Sequence, residues 1–330
     1  MKIKVCSYLE IRGLVDQSGI GVATRNTVHA LKAQGVEVTT DPRGDYDVLH
    51  LQWIGPRSLH YARLAHRRGR PVALTVHTTP ELIEGAFTMS HALVSPYRAY
   101  LRWFMRHVDL LIAPSQQAAN SLNPLAPDKP IHVFSGGIDL DRFSFNERTR
   151  VQYRKVHNLT RKTVLSVGQV IPRKGVKEFF EVARLLPHVD FLWIGPRVSP
   201  LLFYNPRFER VLKAKPENVR FLGFEPNIER AYCGCDLLFH PSHSETLGLV
   251  ILEAAAVGLP LVVRRLPVYS SWLKDGINCL MGKSPEEFAS AISDIISSKG
   301  PEVSSREVAL PHSLRTVGRG LISSYREVIK

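Results

Sequence analysis

Cysteine is scarce in this chain. Only Cys6, Cys233, Cys235 and Cys279 occur. The C-x-C at 233–235 is too tight for the usual zinc pair and has no second pair to complete a site. A zinc ribbon and a disulfide scaffold are thereby excluded, and four reduced packing thiols in an intracellular protein are expected. Long apolar runs are missing too. No stretch of about 18 apolar residues is available to span a bilayer, so any membrane contact is expected at the surface. Met1 leads straight into KIKVCSYL, a buried-strand pattern, without the apolar run and cleavage site of an export signal. Acidic residues are in deficit: 30 Asp and Glu face 43 Lys and Arg, a net charge of +13. A surplus of that size calls for an anionic partner, whether nucleic acid, anionic lipid or a phosphorylated substrate. For nucleic acid the usual signals are absent: no zinc-finger spacing, helix-turn-helix pattern or RRM-type aromatic motif. A nucleic-acid partner is not expected, although a basic nucleic-acid-binding protein without enzymatic activity remains a competing reading.

What is present is globular. The chain has 330 residues, 44% hydrophobic and 22% charged, enough for two ordinary domains and incompatible with wholesale disorder. Short apolar runs alternate with helix-length segments. The first half carries KIKVCSY (2–8), VEVTT (36–40), DVLHLQ (47–52), VALTVH (72–77), LLIAPS (110–115) and IHVFSGG (131–137). The second carries TVLSVG (163–168), FLWIGP (191–196), VRFLGF (219–224), LLFHPS (237–242), LPLVVR (259–264) and NCLMG (278–282). Strands apolar on both faces with helices between them predict parallel sheets, and two such series predict two doubly wound α/β domains. The join is expected near 143–160, where a positive run has little apolar patterning. This places one domain at 1–145 and a second at 146–312. Residues 313–330 read as a helix that could cross back to the first domain. Ligands of doubly wound sheets sit beyond the carboxyl ends of the strands, so the site is expected there, in a cleft if the two sheets face each other.

The segment LLFHPSHSETLGLVILEAAAVGLPLVV (237–263) carries the densest chemistry. A strand ends at Pro241, a polar turn holds Glu245, and Gly248 opens a helix that runs through Glu253 to Gly258, with Pro260 as its stop. At helical rise, Glu245 to Glu253 spans roughly 12 Å. A helix start offers free N–H groups and a positive dipole end to a diphosphate, and a glycine lets the anion come close. Carboxylates on either side accept from sugar and ribose hydroxyls. The plainer alternative is one acid complementing a helix dipole and one solvated acid. In TVLSVGQVIPRKGVKEFFEVARLL (163–186), a strand leads to Gln169, Arg173 and Lys174; a solvent-exposed loop lysine is the alternative there. In LVDQSGIGVATRNTVHALKAQG (14–35), Gly19 and Gly21 mark a loop-to-helix junction that permits backbone approach to a diphosphate, though tight turns explain such glycines as well. His77 ends the run VALTVH, either beside a ligand or packed under a loop.

Glu245-x7-Glu253, with HPSHSE before it and LEAAAVGLPLV after it, resembles the E-x7-E motif of retaining glycosyltransferase family 4. The resemblance implies the GT-B fold and a nucleotide-sugar donor. It also implies that Glu245 meets donor-sugar hydroxyls and Glu253 the ribose. Lys174 occupies the position of the family's diphosphate lysine, with Arg173 its neighbour, and Leu247–Gly248 would cradle phosphate. The family's usual Arg after the strand-end glycine is Gln169 here, which removes one positive charge. By the same resemblance Gly19 and Gly21 lie on the donor side, and His77 lies near the transferred sugar. FSGGIDLDRF (134–143) resembles the family's hinge-side loop with Gly136 in place of Asn, and Asp139 is read as a local cap. Asp45 and Asp47 invite a metal reading, but carboxylate–metal donor binding belongs to another glycosyltransferase fold. No metal and no tightly bound cofactor are expected.

Within the family, DQSGIGVATRNTVHALKAQGVEVT, VGQVIPRKGVKEFFEVARLLP and AYCGCDLLFHPSHSETLGLVILEA are similar to bacterial 1,2-diacylglycerol 3-glucosyltransferases. That implies UDP-glucose as donor and a lipid hydroxyl as acceptor, the first domain binding acceptor and the second nucleotide sugar. The residues add support. PYRAYLRWFMRH (96–107) sets Arg98, Arg102 and Arg106 at helical spacing with Trp103 among them, apt for an anionic bilayer. RSLHYARLAHRRGR (57–70) adds Arg67 and Arg68. Ordinary basic outer faces of sheet-flanking helices are the alternative. A peripheral position on the inner face of the cell membrane is expected. The resemblance implies same-face attack, with Lys174, Gly21 and Leu247–Gly248 stabilising the leaving phosphate and Glu245 and His77 orienting the sugar. Competing readings are a glycan or phosphoinositide acceptor and an inactive sugar-binding relic.

Overall fold

The computed structural model describes residues 3–83, 90–197, 205–298 and 305–329. Each of these apolar runs contains a strand. In the first half these are β1 (Lys4–Tyr8), β2 (Glu37–Thr39), β3 (Val48–Leu51), β4 (Val72–Thr75), β5 (Leu110–Ala113) and β6 (Ile131–Val133). They form one parallel sheet in the order β2-β1-β3-β4-β5-β6. β3, β4 and β5 are buried at every position, which is why their sequences show no polar alternation. Among the helices of this half are α1 (Gly19–Lys32), α2 (Pro56–Arg67), α3 (Ser90–Met105) and α4 (Gln116–Leu122).

The second half repeats the plan with β7 (Thr163–Val167), β8 (Asp190–Ile194), β9 (Val219–Gly223), β10 (Leu237–His240), β11 (Leu261–Arg264) and β12 (Leu280–Gly282). Its parallel order is β12-β11-β10-β7-β8-β9. Its helices include α5 (Glu147–Val156), α6 (Val176–Leu185), α7 (Pro206–Lys213), α8 (Ile228–Gly234), α9 (Leu249–Val257) and α10 (Pro285–Ile296). The expected α/β class with two doubly wound sheets is what the chain forms.

Two compact units result: Met1–Asp139 with His312–Lys330, and Leu140–Pro311. The first closes at Asp139, ahead of the join expected at 145/146. The last helix, α11 (Leu314–Val328), lies in the first unit, where Val317, Leu321 and Tyr325 enter a core shared with Val5, Leu31, Val48 and Ile112. Each such fully buried side chain contributes roughly 1.5–3 kcal/mol, so this helix is a structural part of that unit. The second unit's core gathers Phe179, Phe191, Trp193 and Phe239.

The stretch 143–160, read as a sparsely patterned join, contains a whole helix. Asn146 caps α5 by accepting from the Thr149 N–H. Tyr153 is its one buried residue. The rest of its hold is polar: Arg150 donates to the Cys233 and Cys235 carbonyls at 3.1 and 2.8 Å, and it pairs with Asp236 at 2.7 Å. Arg154 reaches Asp236 at 3.3 Å. A helix anchored by guanidinium groups shows no apolar stripe, so its sequence resembles a linker. All four cysteines are buried and free.

The strand orders place a reversal in each sheet. Chain progression runs one way from β7 through β8 and β9, then returns to the other side of β7 at β10. The loops after β7 and β10 therefore leave the carboxyl edge of adjacent strands, the place where doubly wound sheets bind ligands. In the first sheet the equivalent point lies between β1 and β3.

Candidate functional site

The carboxyl ends of β7 and β10 in the second unit bring Lys174 and Glu245 together. After β7 the chain passes Gly168 and Gln169 and makes a 3-10 turn, Pro172–Lys174, closed by Gly175 at φ +78°. A Cβ on Gly175 would stand 2.4 Å from the Pro241 carbonyl oxygen. Only glycine therefore allows the lysine turn to lie directly on the end of β10. Backbone and side chains then join the two loops. The His243 N–H donates to the Arg173 carbonyl at 2.8 Å, and the Arg173 guanidinium donates back to the Ser244 carbonyl. From the far side, Arg264 donates to the Pro241 carbonyl at 2.9 Å and pairs with Glu178 at 3.2 Å, while Glu178 also holds His243 at 2.7 Å.

At the centre, Lys174 Nζ meets Glu245 Oε1 at 2.5 Å, and His240 Nε2 meets the same oxygen at 2.9 Å. The side chains of Lys174 and Glu245 are 15% and 9% exposed, so this is not a solvated loop pair. Burial works to raise the Glu245 carboxyl's pKa, but Lys174, His240 and Arg173 outweigh it and hold the group well below the usual range. Burial lowers the lysine and the histidine, against the pull of the carboxylate. The glutamate is an anion clamped by two nitrogen donors. His240 is part of the HPSHSE run, yet spacing alone gave it no role, because its partner lies five residues on around a non-helical turn.

Gly248 adopts φ +89° and caps α9, which ends at Gly258 as expected. Leu247 is buried. The helix begins at Leu249, so the stretch from Glu245 to Gly248 is turn and the helical-rise spacing between the two acids does not hold over it. Glu253 stands in a different setting. It is 5% exposed, and the Tyr232 phenol donates to its Oε2 at 2.8 Å. Burial lifts its pKa to about 7, against the Tyr232 hydrogen bond that lowers it. It is therefore not the solvated acid of the plainer alternative. Tyr232 was missed because an aromatic on α8 is indistinguishable in sequence from core. Gln169 is half-buried, with no side-chain partner among the described residues.

In the first unit Gly19 begins α1, and the side chain of the preceding Ser18 turns to the Val15 carbonyl rather than capping the helix. A Cβ on Gly19 would meet open space. One on Gly21 would lie 2.4 Å from the Val15 carbonyl oxygen, so Gly21 is required by the chain's own preceding turn. His77 follows β4, and its Nε2 meets Gln52 Oε1 at 3.0 Å. Asp45 and Asp47 both face Arg70, at 3.4 and 3.3 Å. Among the described residues no group of three or more His, Cys, Asp or Glu is placed to hold a metal.

The basic segments divide by depth. Leu101, Phe104 and Met105 of α3 are buried, whereas Arg98, Arg102, Trp103 and Arg106 are exposed. Arg67 and Arg68 at the end of α2 are exposed as well, and Arg68 donates to the Arg43 carbonyl at 3.1 Å. A groove of about 190 Å³ is lined by Arg102, Arg106 and Lys129, with Asp128 and apolar residues beside them. No helix among the described residues is long and apolar enough to cross a membrane.

Comparison with known proteins gives the chain a family. Residues 148–309 match the model for "Glycosyl transferases group 1", and residues 42–142 match "Glycosyltransferase Family 4". The chain is 31% identical over 337 aligned positions, 99% of both proteins, to the processive diacylglycerol alpha-glucosyltransferase of Acholeplasma laidlawii. It is 26% identical to a D-inositol 3-phosphate glycosyltransferase of Mycolicibacterium vanbaalenii, over 79% of this chain and 61% of that one. Among solved structures, Anabaena HepE in complex with UDP and glucose superimposes with a TM-score of 0.76 at 16% identity, covering 98% of this chain and 99% of that one. The chain therefore belongs to glycosyltransferase family 4 and is a glycosyltransferase of the GT-B fold.

Proposed function

We propose that the protein is a retaining glucosyltransferase that moves glucose from UDP-glucose to a lipid hydroxyl such as that of diacylglycerol at an anionic membrane surface. The observation that carries this reading is the buried Lys174–Glu245–His240 group at the strand-order reversal of the second sheet. It joins a cation fit for a diphosphate to an ionised acceptor fit for sugar hydroxyls. A relative with nearly the same length acts, by its name, on diacylglycerol, and a structural neighbour holds UDP and glucose.

In the reaction the bond from the sugar's anomeric carbon to the diphosphate oxygen breaks, and a bond to the acceptor oxygen forms on the same face. The acceptor's proton passes to a departing phosphate oxygen. Lys174, with Arg173 beside it and the N–H groups at Leu247–Gly248, offsets the charge that grows on that phosphate. Donor phosphate competes with Glu245 for the ammonium and frees the carboxylate for a sugar hydroxyl. Gln169 supplies a neutral donor where the family commonly has a cation. His77 and the Gly19–Gly21 turn are the first unit's contribution to this reading, and Glu253 takes the ribose. Exposed Arg67, Arg68, Arg98, Arg102 and Arg106, with Trp103, provide the surface that meets the bilayer.

The test is turnover of labelled UDP-glucose on vesicles containing diacylglycerol, set against GDP-glucose and against soluble glycans or inositol phosphates. Lipid-linked glucose from UDP-glucose alone is the expected outcome. Transfer only to a soluble acceptor would move the assignment to the glycan or inositol-phosphate class. Glu245→Ala is expected to lower turnover by about 100-fold or more with near-native circular dichroism. Unchanged turnover in that variant would remove Glu245 from the site.

A further inference from the structure

Behind His77 lies a chain of buried polar groups that a strand end does not need for packing. His50 lies in β3 and Gln52 follows directly on the strand's last residue, and their side chains meet. Gln52 Nε2 lies 3.3 and 3.2 Å from the two ring nitrogens of His50. His50 is in turn held from both sides: its Nε2 meets the Thr75 hydroxyl at 2.7 Å, and its Nδ1 meets the Tyr325 phenol at 2.7 Å. Tyr325 comes from α11, 275 residues away in sequence, and its ring meets the His50 ring edge-on at 5.7 Å. His50, Gln52 and Tyr325 are fully buried. Three buried polar side chains cost several kcal/mol unless every group is satisfied, and simple apolar residues would fill the same space.

A carboxamide oxygen only accepts hydrogen bonds. With the Gln52 carboxamide oxygen turned to His77 Nε2 at 3.0 Å and its nitrogen turned to His50, this amide orientation puts the imidazole proton on Nε2, and in the neutral ring Nδ1 keeps a bare lone pair. We propose that Gln52 is a positioning residue: braced by His50, Thr75 and Tyr325, it locks His77 in the Nε2–H tautomer so that Nδ1 accepts from a hydroxyl of the bound sugar. This inference rests on the reading that His77 meets the transferred sugar. It gives the C-terminal helix a part in the chemistry of the first unit, through Tyr325. The titratable groups packed along the chain are His50 and Tyr325. Burial lowers His50 to about 3 and His77 to about 4, and it pushes the Tyr325 phenol up, so all three stay neutral across the working range.

Two measurements test it, one of them independent of turnover. Long-range 1H–15N spectra of 15N-histidine-labelled protein, assigned with His77→Asn, are expected to show His77 protonated at Nε2 at pH 7. A proton on Nδ1 would overturn the proposal. Gln52→Glu places a carboxylate against the ring and favours its cation, in which Nδ1 donates instead of accepting. Its kcat is expected to fall about tenfold or more between pH 8.5 and pH 6, whereas the wild type, with a neutral His77 throughout, changes little. A Gln52→Glu profile that follows the wild type would also overturn it. Tyr325→Phe, the milder change, is expected to mix the His77 tautomers and lower kcat severalfold with KM for UDP-glucose unchanged; a single Nε2–H form in that variant would remove Tyr325 from the relay. The correct tautomer without transfer from any donor would sink the glucosyltransferase assignment alone, and transfer with an Nδ1–H ring would sink the relay alone.

Discussion

Glu245 and Glu253 share a motif but titrate in opposite senses. Glu245 is held below its ordinary pKa, so the stability it contributes is present at neutral pH and lost as pH falls. Glu253 is raised from 4.5 to about 7 by burial. Its contribution is full below about 4.5 and is lost as pH rises through 7. Glu253→Gln keeps an acceptor for the Tyr232 phenol and removes the charge. Relative to this variant, the wild type is expected to lose on the order of 3 kcal/mol between pH 4.5 and pH 8, read from urea midpoints at the two pH values. An equal difference at both ends would show that Glu253 is not perturbed. Sequence spacing found both acids but could not separate their settings. Burial and the partners His240 and Tyr232 come from β10 and α8, and the spacing of the two acids encodes neither.

Between elements, the contact that matters most is the seat of the Pro172–Lys174 turn on the end of β10. Two glycines with nearly the same backbone isolate it. Gly175 and Gly258 have φ of +78° and +87°, but a Cβ at 175 strikes the Pro241 carbonyl while one at 258 meets open space. Gly258→Ala is expected to cost only the left-handed strain, about 1–2 kcal/mol, and to leave transfer near wild type. Gly175→Ala adds a steric clash that parts Lys174 from Glu245, and turnover is expected to drop at least tenfold further. Equal activity in the two variants would show that the seat does not position the lysine. Strands were legible because burial on both faces writes continuous apolar runs. Helix α5 was not, because Arg150, Arg154 and Asp236 hold it by charge. Gly21 also makes room for the Val15 carbonyl of the preceding turn, a need that local spacing does not show.

Over the whole molecule the net charge of +13 fits an anionic surface. Binding to vesicles with anionic lipid is expected to weaken steeply as salt rises, with Arg102→Gln and Arg106→Gln each costing about 1 kcal/mol in a sedimentation assay. Neutral vesicles binding equally well at high salt would refute an electrostatic dock. Composition and periodicity by themselves determined two parallel-sheet units, the strand sequence within each, and the loops that carry charge, because those follow from which residues water rejects. Only the tertiary structure decided that Lys174 and His240 converge on one carboxylate oxygen, that Glu253 is sealed under Tyr232, and that the last helix sends Tyr325 to His50. Those arrangements depend on strand order and on contacts between segments far apart in the chain, and local pattern carries no record of either.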